Sequence, residues 1–133
     1  MNIVEFWSYW YHEFPEYLQK HIKDGATIFF GFLTQAVEIE PDHYGGTDRE
    51  YYYSVSDGTF HTWLRHWDGG NFTAQRCYND EIITIDQMID LLEEKRRSAL
   101  NNDLSPQDVK TVEDSFALIK KWMIMLDEGS IPA

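Results

Sequence analysis

Apolar and polar positions change their period twice along the chain, and the changes divide it into three blocks. Up to Gly25, Ile3, Phe6, Trp7, Trp10 and Phe14 recur at the three- and four-residue intervals of one helix face. Pro15 suits the first turn of a second, shorter helix, where the N–H that proline lacks has no helical partner anyway. That second helix, "PEYLQKHIKDG", carries Tyr17, Leu18 and Ile22 on one side and stops at Gly25.

From about residue 26 to residue 83 the pattern is that of strands. "ATIFFGFLTQAVEIE" is too long for one ordinary strand, so Gly31 or Thr34 is expected to mark a bend or bulge. "PDHYGGTDRE" reads as a loop. "EYYYSVS" then runs into Asp57-Gly58, the dipeptide of a two-residue hairpin turn. "TFHTWLRHW" follows, ends at Asp68-Gly69-Gly70, and "NFTAQRCY" returns. These segments predict a meander of four or five antiparallel strands.

The third block reads as two helices. Thr84 with Gln87 fits a capping box, and Ile85, Met88, Ile89 and Leu92 share a face. Ser105-Pro106 makes a cap followed by a first-turn proline. Val109, Val112, Phe116, Ile119, Met123 and Leu126 then repeat at spacings of three and four until Gly129. Helices at both ends of an antiparallel meander predict a single α+β domain, residues 1–133, with the helices covering one face of the sheet.

Charge narrows the partners. Twenty-three acids against eleven Lys and Arg leave a net charge of −12. Nucleic-acid affinity depends on cations that displace counterions, so direct binding to nucleic acid is not expected, and anionic membranes are disfavoured likewise. A basic protein partner, or solubility alone, is what the acidity favours. Aromatic residues make up 16% of the chain, with five Trp, eight Tyr and eight Phe, more than a small core easily hides. Surface rings of this kind anchor protein interfaces.

Cys77 is the only cysteine, so no internal disulfide forms, and it reads as a small strand residue with no base beside it to make it a nucleophile. The start "MNIVEFWSYWYHEF" lacks the basic region and unbroken apolar run of a secretion signal, which makes the cytoplasm the expected location.

The stretch with most candidate chemistry is "DGTFHTWLRHWDGG". Strand alternation directs Phe60, Thr62, Leu64 and His66 one way, toward the core. His61, Trp63, Arg65 and Trp67 point the other, half-exposed way. Unless the strand bulges, the two histidines therefore cannot share a metal or act as an acid–base pair. The exposed set, extended by Tyr51, Tyr52 or Tyr53, could stack bases. However, only Arg49, Arg65 and Arg76 are basic between Gly25 and Asn79, against seven acids. Glu38, Glu40, Asp42 and His43 are the densest mixed cluster, yet without the spacing of a calcium loop. They read as an acidic strand edge that discourages edge pairing. No phosphate loop or nucleophile elbow occurs, and no metal, cofactor or catalytic residue is expected.

In general profile the chain resembles small single-domain inhibitors. These include bacterial immunity proteins that neutralise nuclease toxins and phage anti-defence proteins such as anti-CRISPRs. The likeness is one of size, acidity and aromatic surface, without a shared motif. It implies a stoichiometric inhibitor that occludes a basic, nucleic-acid-handling partner, such as a nuclease toxin or defence complex. The expected contact residues are Tyr52, Trp63, Arg65 and Trp67, with an acidic set of Asp80, Glu81, Asp86 and Asp90 around the sheet-to-helix junction. Two other readings stand beside it. One is a small enzyme using His61 or His66 with Asp57 or Glu50. The other is a structural adaptor whose rings serve an oligomer.

Overall fold

A computed structural model describes residues 2–39, 45–68 and 71–132; side chains at 39, 68 and 71–74 are not described. The fold is α+β, with three helices and a five-stranded antiparallel sheet. The chain divides into a helical unit, residues 1–26 and 84–133, and a sheet unit, residues 27–83.

In the helical unit, α1 (Ile3–Asp24) is one continuous helix, where two were expected. Pro15 lies inside it. A mid-helix proline removes one hydrogen bond and crowds the carbonyl four residues back. Strong ends hold the helix across that defect. Asn2 and Glu5 form a capping box, and Gly25 closes the helix in the left-handed conformation. Trp7, Phe14 and Leu18 are fully buried along one stripe that runs through Pro15.

Helix α2 (Ile85–Leu100) starts at the expected Thr84–Gln87 capping box, and α3 (Pro106–Glu128) at Ser105 with Pro106 in its first turn. Met88, Leu92 and Ala99 are buried on α2; Val112, Phe116, Ile119, Met123 and Leu126 are buried on α3. Val109 continues the periodic stripe but is exposed near the helix start. Arg96 ties the two helices by donating from Nε to Glu113 at 3.0 Å, and its guanidinium lies over Phe116.

In the sheet unit, the long "ATIFFGFLTQAVEIE" run is broken where expected. A turn of 3₁₀ helix at Gly31–Leu33 separates β1 (Ile28–Phe29) from β2 (Gln35–Ile39). Both pair with the same strand, β3 (Gly46–Ser54), which then pairs with β4 (Thr59–Asp68), and β4 with β5 (Asn71–Ile83). The β3–β4 connection spans residues 55–58, longer than the two-residue turn expected from Asp57-Gly58. Gly58 takes the left-handed conformation at φ 72° and its N–H returns to the Ser54 carbonyl, a closure that needs all of 55–58.

Register sorts the side chains of the sheet onto two faces. Ile28, Tyr53 and Phe60 lie side by side on one face and are buried, with Phe60 packed against Tyr53 and Phe30. The other face carries Phe29, Tyr52 and His61, then Glu50 and Trp63, then Asp48 and Arg65, then Gly46 and Trp67. The Trp67 indole packs on Gly46; a Cβ there would stand 2.8 Å from the indole and 2.5 Å from the Glu38 carbonyl.

Strand β5 breaks its own alternation. Thr62 pairs with Glu81, but Leu64 pairs with Tyr78, so β5 holds an extra residue at the bulge. Asn79 supplies it, in the left-handed conformation at φ 55°, which asparagine tolerates better than most residues.

Candidate functional site

The bulge decides what the second face can do. Beyond it, Asp80 joins the face of Tyr52 and His61, while Glu81 lies across from Thr62 on the opposite face. The Tyr52 hydroxyl donates to Asp80 Oδ1 at 2.6 Å, and His61 Nδ1 lies 3.2 Å from Asp80 Oδ2. At the other end of the imidazole, Nε2 lies 2.7 Å from Thr59 Oγ1 and 3.2 Å from Asp57 Oδ2. Asp57 is oriented in turn by Thr59, whose backbone N–H and hydroxyl both donate to Oδ1.

Nε2 thus faces the Thr59 hydroxyl and Asp57, and Nδ1 faces both oxygens of Asp80, so each ring nitrogen already has partners within the sheet. His61 was expected on the half-exposed side, yet only 7% of it is accessible. Tyr52 covers it, stacked at 4.9 Å and 12°, and the two aspartates close its ends. The imidazole clamps the β3–β4 turn to the β5 bulge.

Electrostatics follow the same contacts. The hydrogen bond from the Thr59 hydroxyl holds the Asp57 carboxyl below the usual carboxylate range. Burial, then the hydrogen bond to Asp80, pushes the Tyr52 phenol well above its ordinary value. Loss of solvent, and then the Glu50 carboxylate, holds the Cys77 thiol up, the direction opposite to an activated nucleophile.

Around the clamp lies an aromatic cluster. Trp63 packs 4.5 Å from Tyr52 and 6.1 Å from Phe29, and its indole N–H donates to Glu50 at 3.0 Å. Phe29 is 40% exposed and Ile82 68%. Ile82 pairs with His61 across β4–β5 and so borders the same cluster. Further along, Arg65 donates to Asp48 at 2.6 Å, stands 3.5 Å from Glu50, and lies over the Trp67 ring at 5.9 Å.

Of the residues singled out from sequence, Tyr52, Trp63 and Asp80 come together. Arg65 and Trp67 form the adjoining group on the same face. Glu81, also in the expected acidic set, projects from the opposite face to Asp80. Asp86 stands in the first turn of α2, where a carboxylate complements the helix dipole, and Asp90 follows one turn later, both in the helical unit. His66 lies on the opposite face from His61 and contacts Thr47 at 3.2 Å, so the two histidines are separated as expected. Phe29 and Ile82 were not singled out.

Among the described residues, no group of three or more His, Cys, Asp or Glu is placed to hold a metal ion, and no helix is long and apolar enough to cross a membrane. Of the acidic cluster at 38–43, Glu40, Asp42 and His43 lie outside the described residues. The chain matches no family model, no curated protein and no solved structure.

Proposed function

We propose that the protein is a stoichiometric inhibitor that binds a basic, nucleic-acid-handling protein through the aromatic face of its sheet and acts by occlusion. One observation carries this reading. The face combines accessible rings and an exposed Ile82 with the carboxylates of Asp48, Glu50, Asp57 and Asp80, and its one described Lys or Arg, Arg65, is already paired with two of them. Such a surface stacks on cations and repels phosphate. Both His61 nitrogens already have partners within the sheet and only 7% of the residue is accessible, which favours binding over acid–base chemistry.

The test is a double variant, Phe29→Glu with Ile82→Glu, both at exposed positions. Wild-type protein tagged and returned to its native host should retain one partner, and one equivalent should silence that partner's nucleic-acid activity. The variant should lose capture by more than about tenfold, since interface anchors commonly carry about 2 kcal/mol or more. Its circular dichroism should stay unchanged. Capture that is indifferent to the double variant would assign binding to another surface.

A further inference from the structure

Strand β5 ends the sheet on one side. It pairs with β4 and, among the described residues, with no other strand, so the backbone groups along its outer edge have no ladder partner. At 13 residues it is the longest strand, and side chains 75–77 and 79–82 are exposed. Open edges are commonly blunted by proline or lysine, and "QRCYNDEII" (75–83) contains neither. We infer that this edge pairs antiparallel with the same edge of a second copy, about a two-fold axis through Tyr78.

The faces of β5 restrict the register. Arg76, Tyr78 and Glu81 stand across from His66, Leu64 and Thr62 of β4 and so share one face. Gln75, Cys77 and Ile82 stand across from Trp67, Arg65 and His61, and share the other face with Asp80. A two-fold axis normal to the sheet exchanges the copies but not the faces, so only residues of like face can meet. With Tyr78 opposite Tyr78 and Asn79 bulged out of the ladder, Asp80 meets the second copy's Cys77. Glu81 then meets its Arg76, and Ile82 its Gln75. Each of these pairs matches in face.

Charge selects this register from its neighbours. Arg76 lies over the Tyr78 ring at 5.6 Å, and among the described residues neither Arg76 nor Glu81 forms an ion pair. Pairing through Tyr78 gives each Arg76 a Glu81, twice by symmetry, on either side of the two tyrosines. Opposite charges and aromatic rings directly across a ladder attract, and like charges repel. An axis moved to Asp80 would set that carboxylate against its own copy. An axis moved to Cys77 would put Arg76 opposite Tyr78 and form no ion pair. The net charge of −12 opposes self-association at long range, but its field is screened over about 8 Å at physiological ionic strength. The pairs at the seam are closer than that. Because the faces are not exchanged, the two aromatic clusters lie on the same side of one continuous sheet. Arg76 and Glu81 lie on the opposite side, so their variants read the seam and not the occluding face.

Sedimentation of the full chain at physiological ionic strength should show a monomer–dimer equilibrium. Arg76→Glu and Glu81→Arg each bring like charges together at two places and should weaken the dimer at least about tenfold. Both positions are exposed, so circular dichroism should not change. Arg76→Glu combined with Glu81→Arg in one chain should restore the dimer. Mixing the two single variants should restore it too, as a heterodimer, because each supplies the charge that the other lacks. Cys77, the only cysteine, reports the register. The two thiols become diagonal neighbours about 7–8 Å apart, too far for a disulfide but within reach of a short bismaleimide. That reagent should give a covalent dimer from the wild type and none from Cys77→Ser.

A chain that stays monomeric at the concentration of an NMR sample would overturn the inference. So would a dimer indifferent to both charge reversals, or one that they weaken and the exchange does not restore. A dimer that the bismaleimide cannot link would place the contact in another register or on another surface, and overturn it as well. None of these results touches the occlusion reading, which stands or falls on capture of the partner by Phe29→Glu with Ile82→Glu.

Discussion

Tyr52 shows how one side chain comes to depend on its neighbours. Its ring is buried against His61 and Trp63, and its hydroxyl donates to Asp80. Burial, then the Asp80 hydrogen bond and charge, with a smaller contribution from Asp57, raises the phenol above its ordinary value of 10.0. Ionisation is therefore easier in the unfolded chain than in the folded one. The stability that this preference contributes is complete below about pH 10 and is lost as pH rises toward the folded-state value. Denaturant titrations across that range should show wild type losing stability more steeply than Tyr52→Phe. Parallel slopes would mean that the phenol is not held protonated by its surroundings. The pairing partner was not legible from sequence, because Tyr52 and Asp80 are separated by two strands and a bulge.

Among the elements, α1 carries the sharpest conflict between local preference and the final structure. Pro15 ends helices when propensity decides alone, at about 3 kcal/mol for an interior position. Here the helix continues from Ile3 to Asp24, capped at both ends and buried along Trp7, Phe14 and Leu18. Pro15→Ala should restore a backbone donor and relieve the ring's crowding of Tyr11. The expected gain is roughly 1–3 kcal/mol in chemical denaturation. A loss would show that the proline's rigidity is itself stabilising. Sequence reasoning succeeded at four capped helix ends, Gly25, Thr84, Ser105 and Gly129, and did not anticipate the Asn2–Glu5 box that starts α1. It failed at Pro15 because packing of a long apolar stripe outweighs one missing hydrogen bond.

At the scale of the whole molecule, a net charge of −12 favours association with a cationic partner by long-range attraction. Association should be fast at low salt and slow as salt rises, since these fields are screened over about 8 Å at physiological ionic strength. Position separates a binding surface from charge in bulk. Asp80→Lys and Glu93→Lys change the net charge equally, but Glu93 is already paired with Arg96 on α2. Stopped-flow association should slow far more for Asp80→Lys. Equal slowing would leave the acidity as a solubility trait.

What the sequence by itself determined is the local grammar. Helix caps, the break at Gly31, the meander and the acidity all arise from residues close together in the chain, and each was legible from spacing and residue type. The opposite facing of His61 and His66 belongs here too, since it follows from a strand period of two. Tertiary structure alone decided which residues share a site. Asn79 adds one residue to β5 and thereby moves Asp80 onto the face of Tyr52 and His61 and leaves Glu81 on the other. No local preference for a single asparagine announces that shift. It depends on a register fixed by pairing with β4, and a one-residue slip reverses every side chain beyond it.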